Sequence, residues 1–410
     1  MTDSEQATAM VLPRQAQGSA RPRPADAAQT DRADGSPIPG ARSRHLRVLL
    51  VTEGSGGHLI PALQVAKALA HAGVQVKIWY AQRPHLAPLS RGLTHELDGT
   101  SVELHPITLS SSSVLLARVW QGGRLWYQAE RCLHAFAPDA VAGFGGWISA
   151  PVIAAARRQG IRCLLHEQNV QMGRANQWLA PWVDRIAVSF AQMQASVPGR
   201  ATIVTGLPVR RAIGQAVRSE AAGQFGFDPR PTSGPTLLVL GGSQGAQAVN
   251  RLMGGVVERL TPGEQQTWQF IHLTGSKEAA AVRAIYAASA VKAWIAPFLL
   301  EMEAAYALAD LVIARAGAST IAELARCGTP AILIPYPHAG GHQRANAQLV
   351  EALGGGLAME ESQATVEKLL GSIRRIVADE RLHRMMGMQM RALGHAQATE
   401  RLAQAILELA

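Results

Sequence analysis

The chain has 410 residues, of which 48% are hydrophobic and 17% charged, enough for two globular domains of ordinary size. Its 39 basic and 30 acidic side chains leave a formal net charge of +9, and the six arginines and five acids of residues 1–44 supply only one unit of it, so the excess lies on the folded part. Three cysteines (Cys132, Cys163, Cys327) without a CxxC pair argue against a disulfide framework or a zinc site, and fit buried thiols in a reducing compartment.

A diffuse basic surface suits phosphorylated substrates, an anionic membrane or nucleic acid; an arginine-rich composition alone also produces one. The start, MTDSEQATAM, is acidic and polar and is no secretory signal. Residues 1–44 are rich in Ala, Arg, Pro, Asp and Gln and read as a disordered extension. No apolar run approaches the roughly 18–20 residues of a membrane span. The expectation is a cytosolic protein, or one attached to a membrane surface.

From residue 46 onward, apolar strand-like runs alternate with helical patterns. The first strand candidates are LRVLLV (46–51), VQVKIWY (74–80), AVAGF (140–144), RCLLH (162–166), RIAVS (185–189) and TIVTG (202–206). Between the first two, HLIPALQVAKALAHAG has helical spacing and a stop at Gly73, which makes a βαβ unit. SSSSVLLARVWQGGRLWYQ (110–128) gathers apolar and tryptophan side chains beside Arg118 and Arg124. It reads either as a domain helix with its apolar face in the core or as a surface that dips into a bilayer.

The pattern restarts after DPRPTSGP (228–235). TLLVLGGSQGAQAVN again reads strand, glycine turn, helix, and strands follow at 270–275, 292–298, 310–315 and 331–336. Two such units predict an α/β protein of two Rossmann-like, doubly wound parallel-sheet domains facing a cleft. The expected divisions are 45–208, 209–392 and a C-terminal helix, 393–410, that packs back on the first domain.

The first glycine turn, TEGSGGHLIPA (52–62), is not a nicotinamide fingerprint. Leu59 stands where the third glycine belongs, and VKIWYAQRP carries no acid after the second strand. No GK[ST] follows either turn, which excludes a Walker loop. Gly54, Gly56 and Gly57 still permit a tight turn whose N–H groups face an anion at the positive end of a helix, with Ser55 adding a hydroxyl. His58 lies where the dipole favours a neutral imidazole, suited either to general-base work or to a structural bond with backbone. In the second turn, GGSQGA (241–246), Ser243 is placed to hold another phosphate.

HEQN (166–169) follows a strand, so it borders the cleft. Glu167 can act as a base or hold a sugar hydroxyl, Asn169 can read an amide or hydroxyl, or the four can form a polar loop that caps the next helix. ARAGASTIAELARCGTP (314–330) places Arg315 as a cation at the cleft edge and Glu323 near the start of a helix, where a carboxylate can accept both hydroxyls of a ribose or simply favour the dipole. PYPHAGGHQRANA (335–347) adds His338, His342, Gln343, Arg344 and Asn346 as donors for a sugar and pyrophosphate. No metal-ligand spacing recurs, and helix ends with such donors can stabilise a departing diphosphate without one.

Together EGSGGHLIPA, GFGGWISAP, LLHEQN, GLPVR, GGSQGA, RAGASTIAE and HQRANA resemble the MurG family, which makes lipid II, from about residue 46 to the C-terminus. The resemblance implies a GT-B-type, inverting, metal-independent hexosyltransferase with no cofactor. It would move N-acetylglucosamine from UDP-N-acetylglucosamine to the C4 hydroxyl of undecaprenyl-linked N-acetylmuramoyl pentapeptide. It implies donor contacts at Ser243, at the Leu299 backbone, along Ala318, Ser319, Thr320, Ile321, Ala322 and Glu323, and at Gln343. Ser55, Gly56, Gly57, Asn169 and Arg210 would close on the donor. Gly54, Gly56, Gly57 and His58 would face the acceptor diphosphate, with His58 the first candidate base and Glu167 the second. It also implies peripheral attachment to the cytoplasmic face of the inner membrane, cell-wall and division proteins as partners, and no nucleic acid. Competing functions are a same-fold transferase acting on diacylglycerol, a 2-epimerase, and a non-catalytic UDP-sugar-binding scaffold. The chain departs from the family's Gly-Gly-Thr-Gly-Gly-His at Glu53 and Ser55, and from its GNPVR at Leu207.

Overall fold

The computed structural model describes residues 46–82, 97, 99–108, 115–197, 199, 201–229, 234–241, 246–338 and 340–410, without the side chains of 115–121, 195 and 196. The extension expected at 1–44 lies outside the described residues.

Two parallel sheets form the frame. The first contains β1 (Arg47–Thr52), β2 (Gln75–Gln82), β3 (Val102–Thr108), β4 (Ala140–Gly143), β5 (Arg162–Glu167), β6 (Arg185–Val188) and β7 (Thr202–Val204), in the order β3-β2-β1-β4-β5-β6-β7. The second contains β8 (Thr236–Leu240), β9 (Gln269–Leu273), β10 (Lys292–Ala296), β11 (Leu311–Ala314), β12 (Ala331–Leu333) and β13 (Gly356–Ala358), in the order β10-β9-β8-β11-β12-β13. Strand order reverses beside the first strand of each sheet, between β1 and β4 and between β8 and β11. These are the switch points at which doubly wound sheets open a crevice.

Both faces of each sheet are covered, which is why the central strands read as unbroken apolar runs. In β1, Val48 and Leu50 enter one cluster with Leu63 and Leu69 of the first helix, Gly56–His71. Leu49 and Val51 enter the opposite cluster with Leu125 and Leu133 of the helix Leu115–Phe136. The edge strands β3 and β13 have no such signal. VELHPIT alternates exposed and half-buried residues, and β13 is three residues long.

The chain passes from the first sheet to the second through 205–210 and returns through 393–397. The two crossings touch. Gly206 has φ +81°, and a Cβ there would stand 2.5 Å from the His395 Cβ, so glycine is the residue that fits. The final helix, Ala398–Leu407, then packs on the first helix. Leu402 and Ile406 are buried in the cluster of Leu63 and Ala66, and Arg185 pairs with Glu408 at 2.5 Å. Leu402→Ala should therefore destabilise the N-terminal half by about 2–5 kcal/mol, read as a lower urea midpoint.

Candidate active site

At the first switch point two glycine turns face each other. One follows β1, at 54–57. The other follows β4, where Gly145 and Gly146 take φ +86° and +82°. Ser55 is the N-cap of the first helix, yet its hydroxyl makes no capping bond; it lies 2.7 Å from His58 Nδ1. The far side of the ring covers the second turn, since a Cβ at Gly145 would stand 3.3 Å from His58 Nε2. Glu53 also has a physical place here. It is 7% exposed and crosses Gly146, where a Cβ would sit 1.9 Å from the Glu53 Cγ. A side chain at 146 is thus excluded by Glu53 as well as by the backbone.

At the end of β5, Glu167 is almost fully buried, and four donors surround its carboxylate. Oε1 accepts from the Asn169 N–H at 2.9 Å and from Asn169 Nδ2 at 3.2 Å. Oε2 accepts from the Gly173 N–H at 2.9 Å and from Asn176 Nδ2 at 2.8 Å. A carboxylate so occupied organises the loop and has little capacity left to take a proton from substrate. Its neighbour His166 is fully buried, and its Nε2 donates to the Gly206 carbonyl at 3.2 Å. Burial first, and His58 in second measure, lower the His166 pKa to about 4 against the opposing Gly206 bond.

At the second switch point, Ser243 lies outside the described residues. The helix Ala318–Cys327 starts immediately after the β11 turn, with Gly317 as N-cap. The helix opens at Ala318, as expected, and Glu323 is its sixth residue, on the second turn. Its Oε2 accepts from the Tyr306 hydroxyl at 2.8 Å, and burial raises its pKa against the pull of Arg210. Arg315 is a structural residue rather than an open cation at the cleft edge. It donates to the carbonyls of Ile334 and Pro335, at 3.1 and 3.3 Å, and pairs with Glu361. Gln343 accepts from the Tyr336 N–H at 2.9 Å, and Arg344 turns to Glu360 at 2.7 Å. Leu299 is buried in the core of this half. Arg210 donates to the carbonyl of Leu300, while its buried Nε has no hydrogen-bond partner among the described residues.

The two halves meet directly. Asn346, fully buried on the helix His342–Ala352, donates to Asn169 Oδ1 at 3.1 Å and to the Ala316 carbonyl at 3.0 Å, and accepts from the Val170 N–H at 3.0 Å. His342 Nδ1 stands 3.2 Å from the Gln171 carbonyl. Ser319 Oγ donates to the Gly57 carbonyl at 3.2 Å. Asn346 and Asn169, expected to read the substrate, are thus spent on joining the halves. The Gly145–Gly146 turn, Asn176 and Tyr306 escaped the sequence reading as site residues; only the glycine pair had a local signal.

The segment 110–128 resolves in part. Residues 110–114 lie outside the described residues, and Leu125 and Trp126 pack into the core cluster. Among the described residues, the exposed large aromatics of this half are Tyr127, Trp147, Trp178 and Trp182, at 62, 40, 83 and 51%. Trp147 touches the same helix at Gly122.

Twin doubly wound parallel-sheet domains that meet across their switch points define a GT-B-type glycosyltransferase. The glycosyltransferase family 28 N-terminal domain matches residues 48–188, and the family's C-terminal domain matches 236–404. The chain belongs to the MurG family. It is 34% identical over 372 residues to the UDP-N-acetylglucosamine--N-acetylmuramyl-(pentapeptide) pyrophosphoryl-undecaprenol N-acetylglucosamine transferase of Syntrophotalea carbinolica, covering 87% of this chain and 97% of that one. It is 35% identical over 365 residues to the protein of the same name from Mesorhizobium japonicum, covering 87% and 93%. The crystal structure of Acinetobacter baumannii MurG superposes with a TM-score of 0.69 at 26% identity, over 89% of this chain and all of that one. The kitacinnamycin glycosyltransferase, at 17% identity and a TM-score of 0.63, shares the fold.

Two outcomes follow from this geometry. Gly146→Ala should cost at least about 1–3 kcal/mol, through φ strain and the Glu53 collision, and adding Glu53→Gly should restore part of the lost thermal stability. Burial also lowers the pKa of His272, to about 3, so His166 and His272 are both neutral in the folded chain. The unfolded chain takes up both protons near pH 6.5. Stability is therefore full above that pH and falls as pH drops towards 4 and 3, by about 2–3 kcal/mol per histidine near pH 4.5. Urea midpoints at about pH 7.5 and about pH 4.5 check this.

Proposed function

We propose that this chain transfers N-acetylglucosamine from UDP-N-acetylglucosamine to the C4 hydroxyl of undecaprenyl-diphospho-N-acetylmuramoyl pentapeptide, with inversion. One observation carries the reading: the Ser55–His58 pair stands at a helix start between two glycine turns, at a switch point that faces the second domain. Residues 45–208 form the acceptor side, and 209–392 the donor side.

In this scheme His58 Nδ1–H donates to Ser55 Oγ, which makes Nε2 the basic nitrogen of the ring. Nε2 takes the acceptor C4 hydroxyl proton as that oxygen attacks the anomeric carbon. The bond from that carbon to the UDP oxygen breaks, and its electron pair leaves with UDP. A single displacement inverts the centre. The leaving diphosphate is stabilised by the N-terminal end of the helix Ala318–Cys327, by Ser243 and by the remaining donors of Arg210. Glu323 holds the ribose, the Leu299 backbone meets the uracil and Gln343 contacts the sugar. Gly54, Gly56, Gly57 and Gly146 border the acceptor diphosphate. Glu167 serves as the organiser of the loop that carries Asn169, supported by its four donors.

The acceptor is a lipid, and the exposed Tyr127, Trp147, Trp178 and Trp182 support a membrane-facing side of the N-terminal half, with Arg124, Arg131 and Arg174 exposed on neighbouring turns. Attachment is then peripheral, at the cytoplasmic face of the inner membrane. Among the described residues no helix is long and apolar enough to cross a membrane.

Acceptor-dependent UDP release from UDP-N-acetylglucosamine with a lipid I analogue tests the activity. Release is expected, and its absence while donor binds would overturn the reading. His58→Ala should lower kcat roughly a hundredfold or more while leaving UDP affinity near normal.

A further inference from the structure

Pro61 sits inside the first helix, Gly56–His71, as its sixth residue, and is buried. In an α-helix the N–H of residue 61 bonds the carbonyl of residue 57. Proline has no N–H, so the Gly57 carbonyl is released from the helical ladder. Its partner comes from the other domain. Ser319 Oγ, on the second residue of the helix Ala318–Cys327, donates to it at 3.2 Å. The approach is close: a Cβ at 57 would stand in van der Waals contact with that hydroxyl, at 3.4 Å.

The meeting point is an unusual one electrostatically. Two helix N-termini converge, each carrying partial positive charge and N–H groups without intrahelical acceptors. Two such ends have only donors to offer each other and repel. A free carbonyl in the first turn supplies the missing acceptor. The sequence produces it by placing proline four residues after Gly57, in GGHLIP.

We propose that Pro61 is a positioning residue: it frees the Gly57 carbonyl so that Ser319 latches the donor-side helix onto the acceptor-side turn when the cleft closes. Pro61 touches neither substrate; it acts through Gly57. Because Ser319 belongs to the stretch assigned to the donor, the latch rests on the donor reading above. Closure then brings residues 318–323 and His58 together at a fixed spacing, and donor binding and latch formation favour the same arrangement.

Calorimetric titration of UDP-N-acetylglucosamine into the full chain, with steady-state kinetics beside it, tests the latch. Pro61→Ala restores an N–H that can recapture the Gly57 carbonyl, and Ser319→Ala removes the opposing donor. Each should weaken donor affinity about 3- to 10-fold, the loss of one hydrogen bond, with KM for the donor rising more than kcat falls. The double variant should be no weaker than either single one, because both remove the same contact. Ser319→Thr, which keeps the hydroxyl, should recover most of the affinity that Ser319→Ala loses. Donor affinity unchanged in both single variants, or losses that multiply in the double variant, would overturn the latch while the transferase reading stands. A wild-type chain that binds no donor would overturn the donor reading and the latch with it. If Pro61→Ala proves misfolded by its thermal melt, Pro61→Val, which also restores the N–H, takes its place in the same cycle with Ser319→Ala.

Discussion

A fully buried side-chain amide joins the two halves of this molecule. Asn346 spends its oxygen and its nitrogen on three partners, two in the HEQN loop of the first domain and one in the turn before the donor-side helix of the second. An amide that loses such partners in a low-dielectric setting leaves polar groups unpaired, at a cost of about 1–3 kcal/mol each. The arrangement is therefore self-consistent: when the domains face each other at this spacing, every polar atom of Asn346 is used. The same spacing sets His58 opposite residues 318–323 and lets the Gly57 carbonyl meet Ser319. Catalysis at an interdomain cleft depends on how that spacing is fixed, because a reacting oxygen and an anomeric carbon contributed from opposite sides have little tolerance for misplacement.

The first glycine turn illustrates how one short sequence does several jobs. Gly54 to Gly57 permit the turn, Ser55 holds the histidine, His58 covers the second glycine turn, and Pro61 alters the hydrogen bonding of Gly57. Glu53, an acid beside an anion site, lies sideways over Gly146. Its packing is coupled to a glycine almost a hundred residues away, so this family departure is accommodated by close contact between two turns.

Much of the architecture was legible because burial on both sides of a parallel sheet leaves continuous apolar runs, as in β1 and β8. The edge strands β3 and β13 lacked that signal, one for its polar alternation and one for its length. The glycine turns were readable as well, since backbone freedom is a local property. Side-chain partnerships were not. Arg315 looked like a cleft cation until the segment after β12 supplied carbonyls and Glu361 an ion pair. Glu167 looked like a base until four donors, from as far as Asn176, closed on it. Asn169 and Asn346 lie 177 residues apart, and no spacing rule links them. Identity of residue type was visible, but its free valence depended on the tertiary fold. Trp126, which the sequence set beside a membrane reading, packs half-buried against the core, and among the described residues the exposed tryptophans come from other segments.

The central claim is that His58, held by Ser55, takes the proton from the acceptor hydroxyl. The dependence of kcat/KM for the acceptor on pH, measured for the wild type and for His58→Gln, tests it most directly. The account predicts an acid limb in the wild type, where protonation of the imidazole removes the base, and a low, flat profile without that limb in the variant. An acid limb that persists unchanged in His58→Gln would contradict it and return the search for a base to the rest of the cleft.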